Sequence, residues 1–382
     1  MRTLYHRNYS QIRTLPFLFI FGLAFYTATP AWAQDNSALQ SVTLTGDQTG
    51  KELSANFSKA TSLKQLKLDR ASLSDESLNL IASYPALEEL SLEECEFSDQ
   101  LLPTLIKSPK LKRLRLRAVN LTDSGLARLQ ELSQLELLEI HECSGFSEHG
   151  LQGVSKLLKL RSLTLSGSSI NDSLVLQLKD LTNLTALALR HTKVSSSGFQ
   201  ILERFTKLKD LDVFGTAVSS DFLISIPNPA NLIKLKLRAS GLTSMALVEF
   251  IARFENATLL DLGENEIDDA ALASIALLSK LEDLNLLRTK ISNKGVQSLS
   301  KMKLKKLNLD DIAGVDDESI DTLRLMETLE FLHLGKTKVT DVGIAKIVSL
   351  GQLKTLILND TQVTTEAIAK LQLVLPNLRI VR

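Results

Sequence analysis

From Leu63 onward the chain repeats one apolar phrase, Leu-x-x-Leu-x-Leu, every 23 to 25 residues. The copies begin Leu63/Leu66/Leu68, Leu87/Leu90/Leu92 and Leu111/Leu114/Leu116, and the thirteenth is Leu353/Leu356/Leu358. A degenerate copy (Leu39, Val42, Leu44) precedes them and a truncated one (Leu378, Val381) follows. Within a copy the order of elements is legible. In Leu111-Lys112-Arg113-Leu114-Arg115-Leu116 apolar and charged residues alternate, the pattern of a strand with one buried face. Leu121 then brings the chain back inward, Thr122-Asp123 supplies a helix N-cap, and Leu126, Leu129 and Leu132 form a stripe at helical spacing. Strand, turn and short helix fit within 24 residues, and strands joined in the same sense every time run parallel. A fixed period in this range is the signature of a solenoid, whose single core lengthens with each unit.

Two further columns keep the same register. Three residues after the last strand leucine stands a small or polar residue, among them Cys95, Cys143, Thr192, Ser240, Asn265 and Thr337. Such side chains hydrogen-bond backbone where a strand ends. Near the helix start Gly, Ser or Ala recurs (Gly125, Gly150, Gly198, Ala271, Gly295, Ser319, Gly343), with Leu101, Leu174 and Phe222 as exceptions. Small residues there imply that the helix approaches neighbouring backbone closely.

With Thr122-Asp123-Ser124-Gly125-Leu126 and Thr340-Asp341-Val342-Gly343-Ile344, these columns resemble the leucine-rich repeat superfamily, and within it the cysteine-containing subtype. The signature cysteine survives only at Cys95 and Cys143. The threonine-rich variant is similar to repeats of bacterial extracytoplasmic proteins. The repeat part of F-box proteins, intracellular substrate adaptors of ubiquitin ligases, is a second resemblance, although no convincing F-box precedes the repeats. The resemblance implies an α/β fold, a horseshoe solenoid with a concave parallel sheet and convex short helices. It also implies a non-catalytic module that recognises a protein on its concave face.

The first 33 residues follow a different rule. Arg2, Arg7 and Arg13 form a basic start with no acidic residue before Asp35, Leu15 to Phe25 is apolar, and Ala31-Trp32-Ala33 is a small-x-small site. This reads as a signal peptide cut after Ala33, which places the mature chain in the periplasm or outside the cell. The expected organisation is a signal peptide (1–33), a degenerate capping repeat (34–62), thirteen repeats (63–377) and a truncated terminal repeat (378–382). Without the leader 41 basic residues face 44 acidic ones, a net charge of −3. That balance argues against a nucleic-acid partner, whose affinity depends on a basic face. The apolar run falls short of the ~20 residues of a membrane span, so no integral span is expected in the mature chain.

Specificity is expected in the outward residues between the leucines. One row is basic, Arg113/Arg115/Arg117, and so is another, Lys234/Lys236/Arg238. Each alone resembles an anion cradle. In-register parallel strands, however, set Glu89, Glu93 and Glu139 beside the first, and Asp210, Asp212 and Asp261 beside the second. Charge ladders are therefore the preferred reading. The aromatic candidates for a partner-binding anchor are Phe214 near Arg238, and Phe331 with His333; Lys236 is a further candidate on the same face. His141, His149, His191 and His333 are scattered and read as solvated surface residues; no hydrolase, phosphate-loop or metal-ligand spacing joins them, and no cofactor is implied. Cys95 and Cys143 occupy one column two repeats apart, roughly 10 Å by strand spacing, too far for a disulfide. The final strand ends the sheet, and a homodimer through that edge is a further expectation.

Overall fold

The leucine phrases form strands, and the strands form one sheet. The structure, a computed structural model, describes residues 38–382 apart from Gln48, Asp99, Gln100, Glu148, Ser219, Ser220 and Asp221. The signal peptide expected at 1–33 lies outside the described residues. Fifteen strands follow one another in chain order, from Ser41–Thr45 through Arg113–Arg117 to Arg379–Val381. Every pairing is parallel and in register, so Leu66, Leu90, Leu114 and Leu138 lie side by side. These inward leucines are essentially inaccessible to solvent. Burying one contributes about 1.5–3 kcal/mol, and the ladder repeats that gain at each step. The residues from Asn36 to Arg382 cluster as one unit. Its alternation of parallel strands with short helices is an α/β solenoid. Among the described residues no helix is long and apolar enough to cross a membrane.

The strands shorten along the chain. They span five residues up to Ala186–Arg190 and three from Asp210–Asp212 onward. In the shorter set Asp212, Asp261, Asn285 and Asn308 each turn a side-chain oxygen onto the N–H two residues ahead, at 2.9 to 3.1 Å. Such local bonds compete with the ladder for the same donors.

Directly after the strand, the backbone turns through a left-handed residue in almost every repeat. Eleven of these are not glycine: Arg70, Glu94, Ala118, Glu142, His191, Ala239, Glu264, Arg288, Asp311, Lys336 and Asp360, with φ between 49° and 57°. The next column behaves as its residue types imply. The hydroxyls of Thr192, Thr216, Ser240, Thr289 and Thr337 donate to the carbonyl three residues back. Cys95 and Cys143 direct their thiols to the carbonyls of Leu68 and Leu116, across one repeat. Both cysteines are buried and free, and burial pushes their thiols up.

At four helix starts, Gly150, Gly198, Gly295 and Gly343, the closest neighbour is not backbone, as the small-residue column suggested, but a carboxylate. Asp123 accepts both the N–H and the hydroxyl of Ser147 in the following repeat, each at 2.6 Å. Asp172 does the same for Ser195, Asp269 for Ser292 and Asp317 for Thr340. Each of these aspartates occupies the space that a Cβ at the next helix start would need. A Cβ on Gly150 would lie 2.8 Å from Asp123 Oδ1, one on Gly198 2.5 Å from Asp172 Oδ1, and those on Gly295 and Gly343 would collide with Asp269 and Asp317. Where serine replaces the aspartate the next repeat tolerates more: Ala271 follows Ser244, and Phe222 follows Ser196 and packs on Phe199 at 4.8 Å. Two sites break the rule: Leu101 follows Asp75, which still accepts the Ser98 hydroxyl at 2.6 Å, and Ala367 follows Asp341, which still accepts the Thr364 N–H and hydroxyl at 2.7 and 2.8 Å.

Candidate functional site

The residues between the leucines form the open face of the sheet. The arginine row is fully engaged there. Arg113 lies 2.8 Å from Glu89, Arg115 bonds Glu89 and lies 3.2 Å from Glu139, and Arg117 lies 3.0 Å from Glu93. Register explains the pattern, since Glu89 stands opposite Arg113, Glu93 opposite Arg117 and Glu139 opposite Arg115. Half-exposed pairs of this kind contribute about 0–1 kcal/mol each. Their stronger effect is to cancel the field that an anion would need.

The second basic row differs from its expected pairing. Of the three aspartates set beside it, only Asp212 makes an ion pair, with Lys236 at 3.7 Å and more closely with Arg190 at 2.6 Å. Arg238 turns instead to Glu264, which also faces Arg288, and Arg288 continues to Asp311 at 2.6 Å. The reason is the left-handed turn. It places Glu264 and Asp311 just past the strand, within reach of the long arginines of the preceding repeat. Asp261 folds onto its own backbone, accepting the Gly263 N–H at 3.1 Å, and burial pushes its carboxyl up to about 6. Lys234 is exposed and makes no ion pair among the described residues.

Between these rows lies an aromatic centre. Phe214 is half-buried, with the His191 ring edge-on at 4.3 Å and the Arg238 guanidinium 5.1 Å from its ring centre. The expected neighbourhood of Phe214 and Arg238 is thus present, and His191 joins it. A guanidinium over an aromatic face contributes roughly 0.5–2 kcal/mol, depending on exposure. At the other candidate, Phe331 and His333 share a strand with ring centres 6.5 Å apart.

No family model matches the chain, and no curated protein does. Solved structures do. An internalin of Listeria monocytogenes superposes with a TM-score of 0.50 at 19% identity, covering 91% of this chain and 87% of that one. A leucine-rich-repeat protein of Leptospira interrogans gives 0.52 at 18% identity, covering 90% and 89%. The chain has the leucine-rich-repeat fold. At such identities the likeness is one of architecture.

Along this leucine-rich-repeat sheet His141 and His333 are half-buried and depart from the solvated reading, whereas His149 and His191 are exposed as expected. His141 is half-buried, its Nδ1 has no hydrogen-bond partner, and burial holds it below the usual imidazole range. His191 packs on Phe214, and His333 Nε2 lies 3.2 Å from Asn359 Oδ1. Arg190, Glu264, Asp310 and Asn359 stand outside the expected site residues, and His191 was expected only as a solvated surface residue. His191 and Glu264 sit in the left-handed turn column, outside the strand positions that were read. Their charge and their fixed offset from the last leucine were the available signals.

Proposed function

We propose that the open face of the sheet is a protein-docking surface of an exported, envelope-associated or secreted module, with Phe214, Arg238 and His191 at its anchor. The observation that carries this reading is the preorganised ring–guanidinium pair. Phe214 is fixed by His191 on one side and Arg238 on another, on a face whose other long side chains are largely committed to ion pairs. Binding hot spots favour aromatics and arginine that need little ordering on association. The arginine row Arg113/Arg115/Arg117, Lys236, and the Phe331–His333 pair would set orientation and encounter rate rather than affinity.

The test is capture of an extracytoplasmic partner, identified by mass spectrometry, with affinity then measured for variants. Phe214→Ala is expected to weaken binding about 30-fold, the equivalent of a 2 kcal/mol hot spot. Arg115→Glu should slow association and change its salt dependence. Affinity unmoved by changes at Phe214, Arg115 and Phe331 together would refute the assignment of this face. The terminal strand Arg379–Val381, with partly buried Ile380 and Val381, is proposed to accept a second copy of the chain. A strictly monomeric mass at high concentration would count against that dimer.

A further inference from the structure

Three strands near the C-terminal end bring polar atoms of three repeats to one point on the open face. Asp310, Gly335 and Asn359 are equivalent positions in consecutive repeats, each one residue before the left-handed turn. The outer two are therefore two strand spacings apart, roughly 10 Å between backbones. Their side chains lean toward each other across the glycine. The position a Cβ would take on Gly335 is 2.6 Å from Asn359 Oδ1 and 2.7 Å from Asp310 Oδ1. His333, two residues earlier on the middle strand, turns Nε2 toward the same place, 3.2 Å from Asn359 Oδ1 and 3.8 Å from Asp310 Oδ1.

One member of this group lacks a partner. Asp310 Oδ1 is buried and accepts no hydrogen bond, the only carboxylate oxygen of that kind among the described residues. Arg288 directs its guanidinium to Asp311 and Glu264 and makes no ion pair with Asp310. A buried acceptor without a donor costs about 1–3 kcal/mol, more when charged, so its persistence calls for something to fill the gap.

We infer that His333 Nε2, Asp310 Oδ1 and Asn359 Oδ1 form a binding site for a divalent transition-metal ion. An ion about 2.1 Å from each donor would see the Asn359–His333 separation at an angle of about 100° and the His333–Asp310 separation at about 130°, either side of the tetrahedral value. One imidazole, one carboxylate and one amide oxygen suit the borderline Zn²⁺ or the harder Mn²⁺ rather than thiophilic ions. The ion takes the place of the hydrogen that His333 Nε2 directs at Asn359 Oδ1, and the imidazole changes tautomer, its one hydrogen moving to Nδ1 so that Nε2 is free to ligate. Gly335 is required because any side chain there would occupy the gap. This site does not depend on whether the face also binds a protein.

The experiment is calorimetric titration of the tag-free, metal-stripped protein with Zn²⁺, and proton relaxation with Mn²⁺. One equivalent is expected to bind, with affinity reduced at least tenfold in both His333→Ala and Asp310→Ala and unchanged in Asp261→Asn. Circular dichroism confirms that the variants fold, and Mn²⁺ should broaden the Gly335 and Asn359 resonances selectively. No binding of either ion up to millimolar concentration overturns the inference. So does binding that survives within twofold in either alanine variant.

Discussion

Replacing Ala118 or Ala239 with glycine should stabilise the protein. Both residues occupy the left-handed turn after a strand, with φ of 49°. A left-handed conformation costs a non-glycine residue about 1–2 kcal/mol. Glycine adopts it freely but gives up more unfolded-state freedom, about 0.5–1 kcal/mol. The difference is a gain of about 0.5–1 kcal/mol at each site. Little opposes it, because the Ala118 methyl is exposed and its N–H keeps the 2.9 Å bond to the His141 carbonyl, just as Ala239 keeps its bond to Gly263. The two sites lie five strands apart, so their effects should add. Urea unfolding followed by circular dichroism reads the change as a higher midpoint with an unaltered slope. The reverse change at the same column, Gly215→Ala, should cost considerably more, because a Cβ there collides with the His191 ring as well. If Ala118→Gly and Ala239→Gly are both neutral or destabilising, the left-handed turn is not strained and the reasoning fails.

Three other outcomes follow from the packing and the charges. Gly343→Ala should cost about 1–2 kcal/mol by displacing the Asp317 carboxylate from Thr340, and Asp317→Ser should remove most of that penalty, as Ser244 and Ala271 already coexist; purely additive effects in the double variant would contradict the coupling. Asp261, whose carboxyl is raised to about 6 in the folded chain, binds its proton more tightly than in the unfolded one. Its ionisation therefore weakens the fold as pH rises from about 4 to 6, and Asp261→Asn should flatten that slope and stabilise the protein by up to about 2 kcal/mol at neutral pH; a thermal midpoint series across that range checks the sign. Sequencing the mature N-terminus should return Gln34 if the chain is exported as proposed, whereas Met1 would favour an intracellular adaptor.

The leucine columns made the strands legible because burial repeats without variation. Leu66, Leu90 and Leu114 stand at the same offset in the sequence and at the same height in the core. The capping column was equally readable, since Thr192 or Asn265 does one job, hydrogen-bonding a strand-end carbonyl, wherever it stands. What escaped was any relation running diagonally between repeats. The aspartate that excludes a Cβ belongs to one unit and the glycine to the next, so a unit read by itself shows a cap and a small residue but not their dependence. Glu264 was missed as the partner of Arg238 for a related reason. Its backbone is left-handed, which the side-chain type conceals, and only that turn brings it into reach. The His333, Asp310 and Asn359 donors are separated by 23 to 49 residues, a spacing that matches no local metal motif.

The parallel in-register ladder also acts as a measure of length. Each unit ties itself to the one before it and adds one strand spacing, about 4.8 Å, to the sheet. The Phe214 centre and the His333 centre lie five strands apart, so roughly 24 Å separates them along the sheet. Loss or gain of a whole unit between them would move the two centres by one increment while leaving the chemistry of each intact. Loss of a single residue would instead reverse which side chains face outward in the strand it touches. Changes in reach and changes in specificity are thus open to separate variation in this chain, the first by counting units and the second by exchanging residues between the leucines.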